Sequence, residues 1–219
     1  KQKIFNKTPP RHQSSLLEGF SKRLKEIEND PFIGYIGKRY QDSKIKVLMM
    51  GKSNAESNNP PSDKRINESF KYFKKAENDF DLFYKRYSDR YTEEMKNWNI
   101  YSKVVHPFLI KTGLTIEDIA YVNAVPFRYV GQPKKAHYHE IFPEFTNKFI
   151  TIVKPDLLIP LGRDKSVFNG DLIKRNYLAI DFELEIHSGI TRTSGDSYLP
   201  PRGEDDLDEA VLDYNCLNQ

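Results

Sequence analysis

Four short apolar runs, Ile45 to Met50, Ile119 to Val125, Asp156 to Leu161 and Ala179 to His187, stand far apart in a chain of 219 residues. Their length suits strands better than helices. The first three are almost continuously apolar, as strands covered on both faces must be, whereas Ala179 to His187 alternates as expected nearer a sheet edge. Long, mostly helical connections separate them, which is the signature of parallel crossovers. The expected fold class is therefore α/β, a three-layer α/β/α sandwich with a central four-stranded, mainly parallel sheet.

The connecting segments carry helix signals of their own. Ser15 and Glu18 have capping-box spacing, and Leu16, Leu17, Phe20, Leu24 and Ile27 form one apolar face that ends before Pro31. Thr92 to Thr112 and Ala136 to Lys154 have helical spacing, with Pro107 and Pro143 marking breaks or starts. Between Asn54 and Asp89 lies an insertion rich in rings, among them Phe70, Tyr72, Phe73, Phe80, Phe83 and Tyr84. It reads as a helical pair, Ile66 to Ala76 and Asp79 to Ser88, whose rings pack on the sheet or form a base-stacking platform; packing is the commoner use. The expected organisation is an arm over residues 1–13, one domain over 14–203 and an acidic tail or helix over 204–219.

Composition narrows the class. Hydrophobic residues make up 38% and charged residues 30%, more polar than most globular chains but far from a disordered one. The single cysteine, Cys216, excludes an internal disulfide or a cysteine-ligated cluster. With no secretory pattern and no apolar run of about 18 residues, the expected compartment is the cytoplasm and no membrane partner is expected. The net charge of +3 is uneven: the stretch from Glu204 to Asp213 holds six carboxylates and no base, so removing it leaves +9 on the rest. Such a charge suits a polyanionic partner and equally suits solubility.

The chemistry-bearing residues cluster at the ends of the apolar runs, where open α/β sheets bind ligands. The first run ends in Gly51-Lys52-Ser53, but a Walker loop needs a second glycine at position 46, which is Lys46 inside the strand. A sharp turn at Gly51 into Asn54-Ala55-Glu56 remains, offering backbone amides, an amide side chain and a carboxylate; an ordinary Asn/Pro turn is the plainer reading. The second run leads to Asn123, whose amide carries both a donor and an acceptor for a planar ligand edge or satisfies turn backbone, and continues to Phe127 and Arg128. The third enters a turn at Gly162-Arg163 that starts another helix, where Arg163 meets a phosphate or caps the turn. The fourth delivers His187-Ser188-Gly189-Ile190-Thr191-Arg192, and His187 alone of the five histidines stands at a strand end. His137 and His139 have only Glu140 nearby, so no metal and no cofactor is expected.

In order and spacing, the Gly51 turn, the Val122-Asn123-Ala124-Val125-Pro126 strand end, the run from Pro155 to Arg163 and the His187-Ser188 strand end resemble the uracil-DNA glycosylase superfamily, over roughly residues 40 to 195. The resemblance implies a hydrolase that flips a base out of duplex or single-stranded DNA and cuts its N-glycosidic bond, leaving an abasic site. It implies that His187 stabilises negative charge on the departing base and that Asn123 reads the base edge. Water positioning falls to Asn54, with Glu56 the nearest carboxylate, because Ser53 and Asn54 stand where the family has Gly-x-Asp-Pro-Tyr. Ser53 with Phe70 or Phe127 would line the base. Lys52, Arg128, Arg163 and Arg192 would meet the DNA backbone, Ser188 and Gly189 would clamp a phosphate, and Ile190 would be a wedge in the emptied stack. The lone cysteine excludes the iron-sulfur branches, which need four cysteines.

A monomeric, monofunctional uracil-DNA glycosylase-like enzyme of DNA repair is the leading expectation. Small residues at Ser53 and Ala55 leave room for a bulkier modified base, for example in foreign DNA. A non-catalytic nucleic-acid or nucleotide-binding module with the same fold is the alternative, motivated by the absent first-loop aspartate. A partner-binding or DNA-mimicking role for the acidic stretch stands beside the commoner solvated helix.

Overall fold

A computed structural model describes residues 34–55, 92–93, 95–96, 100–129, 133–162, 168–190 and 201–219, with backbone alone at 54–55, 127–129 and 201–203. The expected N-terminal arm, the Ser15 helix and the helical pair of the insertion lie outside the described residues. The fold is α/β. Five strands, β1 (Tyr35–Ile36), β2 (Val47–Ala55), β3 (Ile119–Tyr129), β4 (Leu157–Pro160) and β5 (Glu185–Ile186), form one sheet in the order β1-β3-β2-β4-β5. Parallel pairing joins β3, β2, β4 and β5, while β1 runs antiparallel to β3.

The sheet is thus mixed and five-stranded, which corrects the expected four. The strand that sequence patterning misses is β1: two residues between Gly34 and Gly37 have no periodicity to read. The fourth expected run also shrinks, since only Glu185–Ile186 of Ala179 to His187 pairs with β4. At an edge, alternation need not mean pairing.

The apolar runs are where they are because both sheet faces are covered. Val47 lies between Ile119 and Leu157, and Met49 between Tyr121 and Ile159. These side chains pack with Phe108 and Leu109 of helix α1 (His106–Thr112) and with a second helix at the chain's C-terminal end. On the opposite face Leu48, Met50, Ala120, Val122 and Leu158 meet helices α2 (Lys135–Ile141), α3 (Asn147–Val153) and α4 (Gly170–Asn176). Pairing of neighbours in sequence on opposite faces is the period of two expected of a strand, so continuous burial requires two cores.

Where they are described, both expected helical segments contain helix, each with a π-helical turn beside its proline. Tyr101–Val105 leads into α1, where Pro107 occupies the first turn. Phe142–Thr146, containing Pro143, joins α2 to α3. A proline has no N–H and its ring clashes with the turn before it, so a widened turn accommodates it without ending the helix.

The acidic stretch belongs to helix α5 (Pro201–Leu217), with proline at the N-terminal position that helices favour. Leu207, Ala210 and Tyr214 recur at helical spacing and enter the core, Tyr214 meeting Phe108 edge to face at 6.1 Å. Asp205, Asp208 and Glu209 lie on its exposed side. No helix among the described residues is long and apolar enough to cross a membrane.

Candidate functional site at the strand ends

Strand order places β3 and β4 on opposite sides of β2, so the connections leaving β2 and β3 run in opposite directions across the sheet. In open α/β sheets this reversal opens a crevice at the carboxyl ends of the strands. Residues 50–55 and 160–162 border it.

Gly51 does not turn the chain. It lies within β2, paired with Asn123, and the strand continues to Ala55. The ladder slips after Ser53↔Val125 to Asn54↔Arg128, leaving Pro126 and Phe127 as extra residues on β3. Proline cannot donate to a ladder, so a bulge here lets pairing resume beyond it. Glycine is required at 51 for a different reason: a Cβ there would stand 2.2 Å from the Tyr121 hydroxyl oxygen and 2.4 Å from Asn123 Oδ1. Those two groups lie over the glycine and bond to each other, the Tyr121 hydroxyl donating to Asn123 Oδ1 at 3.0 Å. Burial pushes the Tyr121 phenol above its ordinary pKa, so it stays a donor.

Asn123 is also held through its backbone. Thr146, buried in the π-helical turn, donates to the carbonyl oxygens of Asn123 and Ala124, both at 3.0 Å. The amide is itself buried, at 1% exposure.

His187 occupies the other end of the edge. Its backbone N–H donates to Leu158 O at 3.0 Å, and Ile190 N–H donates to Pro160 O at 2.9 Å, so the turn stays docked on β4. Gly189, at φ 108°, takes a conformation open to glycine and donates its N–H to His187 Nδ1 at 3.0 Å. An Nδ1 that accepts a hydrogen bond carries no proton, so neutral His187 is the Nε2–H tautomer. Nε2 lies 3.9 Å from Glu209 Oε2 on α5. Glu209 and Glu185 both push the Asp213 carboxyl upward, after its own partial burial, which marks an acidic outer surface beside the histidine.

Ile190 is fully buried in the core shared by α1 and α5, which corrects its expected place as an exposed wedge. Docking of the turn on β4 carries the side chain inward. The Gly189 amide is likewise engaged by the imidazole, in place of the expected phosphate. Ser188 is exposed, and its carbonyl accepts from Gly170. Lys52 and Ser53 are half-buried on β2, and the Lys52 stem runs past Gly162, its Cε 3.5 Å from where a Cβ would stand. Asn54, Phe127 and Arg128 are strand residues by backbone. Glu56, Phe70, Arg163 and Arg192 lie outside the described residues.

Asn123 and His187 therefore lie on the same side of the sheet, that of α1 and α5, separated by three strand spacings. That separation is about 14 Å across the edge, with His187 roughly two residues, about 7 Å, lower. They do not touch, and both are buried. Tyr121, Thr146 and Glu209 join the site without having been read from the sequence. Tyr121 had a signal, being two residues before Asn123 on one strand face; Thr146 and Glu209 reach it from distant helices.

His137 Nδ1 accepts from the Lys134 backbone N–H at 3.0 Å, and the His139 ring lies 5.1 Å from that of Tyr177. Both have structural work within the α2 layer. Among the described residues no three His, Cys, Asp or Glu side chains converge on a metal-holding position. Neither the models of known protein families nor the curated proteins give a match to this chain.

Proposed function

We propose that the chain is a DNA glycosylase of the uracil-DNA glycosylase type, a three-layer α/β/α domain that hydrolyses the N-glycosidic bond of uracil or a related modified base flipped out of DNA. The observation that supports this reading is the presence, on one face of the sheet, of a fixed amide on β3 and, just past β5, an imidazole in the Nε2–H tautomer. As the glycosidic bond loosens, negative charge grows on a carbonyl oxygen of the base. An Nε2–H aimed at that oxygen stabilises the anion without transferring a proton, and a donor of this kind is worth about 10² to 10³ in rate. Asn123 reads the base edge, and Asn54 or Glu56 positions the water that attacks the sugar. Unstacking the base costs a few kcal/mol, offset by stacking on a ring such as Phe70 or Phe127. The basic remainder of the chain, Lys52, Arg128, Arg163 and Arg192 included, meets the phosphates, with Ser188 at the turn; the protein acts in the cytoplasm as a monomer.

The test is a panel of duplex and single-stranded oligonucleotides, each bearing one uracil or one modified base, scored for alkali-labile sites. Cleavage by the wild type is expected, with a loss of at least 10²-fold in His187→Ala and a comparable loss in Asn123→Ala. Unchanged rates in both variants would remove these residues from the site.

A second reading, a nucleic-acid-binding module without catalysis, is favoured by one feature: the first loop carries Ser53 and Asn54 where the resembled family has an aspartate. Salt-sensitive DNA binding with no abasic product across the panel would establish it.

A further inference from the structure

We propose that the Glu209 carboxylate is an internal competitor at His187: it occupies the approach to Nε2 that an incoming anionic oxygen must take, and swings aside when one binds. For the identity of the ligand this rests on the glycosylase reading; the contact itself does not. The His187 ring is buried, at 3% exposure. Glu209 Oε2 lies 3.9 Å from its Nε2. To an N–H donor, a carboxylate oxygen and the oxygen of a departing base are partners of one kind, since both accept and both carry or gain negative charge. The chain thus holds one of its own anionic oxygens where a substrate's would come.

Of the two partners, the carboxylate is the one built to move. The imidazole is held on every side: Gly189 N–H donates to Nδ1, the His187 and Ile190 amides dock the turn on β4, and α4 packs so closely that a Cβ at Gly170 would stand 2.2 Å from the His187 carbonyl oxygen. The Glu209 side chain is 62% exposed, so one rotation returns its carboxylate to water. At 3.9 Å the contact is longer than a hydrogen bond, and little is lost by leaving it. Like charge also presses on it. Asp206 and Asp213 stand three residues before and four after it, on one stripe of α5, and Glu185 lies on β5. Burial, then Glu185 and Glu209, push the Asp213 carboxyl upward, and repulsion between carboxylates is mutual. The same negative surface disfavours a phosphate at the histidine, so the gate yields to an acceptor that bonds Nε2 directly.

The experiment uses the full chain with Glu209→Ala, and with Glu209→Gln as a second variant that keeps the side-chain length and removes the charge. On the oligonucleotide that the wild type cleaves best, kcat/KM is expected to rise about three- to tenfold through a lower KM, as when a binding-competent state goes from a minor to a nearly full population. The His187 Nε2–H signal, followed by NMR, is expected to shift in both variants. Added acetate, which returns a carboxylate, should move the Glu209→Ala signal back toward the wild-type position, with chloride at equal ionic strength leaving it in place. A KM unchanged or raised in both variants overturns the proposal, as does an Nε2–H signal that neither substitution moves. If none of the three proteins cleaves any oligonucleotide while the signal shifts and acetate reverses it, the glycosylase reading fails and the gate at His187 stands. A signal that shifts but ignores acetate overturns the gate in that case. Should Glu209→Ala not fold, KM and the Nε2–H signal of Glu209→Gln decide in the same way.

Discussion

Gly51 shows how one residue can be singled out correctly for the wrong physical reason. A glycine at the end of an apolar run suggests a turn or a phosphate loop, yet its backbone is ordinary strand, and what matters is the absence of a side chain beneath Tyr121 and Asn123. Gly51→Ala is therefore expected to destabilise the protein by about 1–3 kcal/mol through overpacking, read as a lowered denaturant midpoint. Combining it with Tyr121→Phe, which removes the nearest overlapping atom, should recover part of that loss. A fully stable Gly51→Ala protein would contradict the close approach. His187 carries a parallel lesson: its neighbour Gly189 fixes the tautomer, so the identity of the residue two positions on determines what the imidazole can donate.

At the level of elements, the short β1 strand and the following turn are pinned to the start of β3 by a charged network. Arg39 donates from Nε and a terminal nitrogen to both oxygens of Asp118, at 2.7 and 2.9 Å, and also reaches Glu117 and Thr115. Asp118 in turn accepts from the Thr115 backbone N–H and hydroxyl, closing a capping box on the turn before β3. The Arg39 bond, joined by those from Thr115 and opposed by partial burial, holds the Asp118 carboxyl below its usual range. A carboxylate depressed in this way contributes stability above its unfolded pKa of about 3.9, and that contribution is lost as pH falls through the folded value. The stability difference between wild type and Asp118→Asn, measured by denaturant titration from pH 7 to pH 3, is expected to be largest at neutral pH and to shrink below about pH 4. A difference constant with pH would mean that the network contributes nothing through ionisation.

For the whole molecule, the decisive element is α5. Its carboxylates suggest a solvated appendage, but Leu207, Ala210 and Tyr214 complete the core on one sheet face, and Lys111 and Lys44 tie the helix to α1 and to the loop before β2 through Asp208 and the Asn218 carbonyl. Leu207→Ala should cost about 2–5 kcal/mol. Asp208→Ala, on the exposed side, should stay within about 0.5 kcal/mol. Truncation before Glu204 is expected to abolish cooperative unfolding, monitored by circular dichroism; a truncated chain that still melts sharply would show the helix to be dispensable. The same helix brings Glu209 within 3.9 Å of His187, so a segment that stabilises the fold also sets the electrostatic surroundings of the site.

By itself the sequence determined the α/β class and four of the five strand positions, because apolar periodicity and strand length are local properties of the chain; it expected Asn123 at a strand end, whereas β3 continues past it to Tyr129 beside the lengthened β2. Tertiary structure alone decided that β2 runs through Gly51, that Ile190 turns into the core, that a two-residue strand closes the sheet edge, and that Tyr121, Thr146 and Glu209 gather around the site. Each of those depends on which backbone lies alongside: a ladder extends only where its neighbour does, a side chain is buried only when another element covers it, and a polar group finds its partner across more than a hundred residues in sequence or only two.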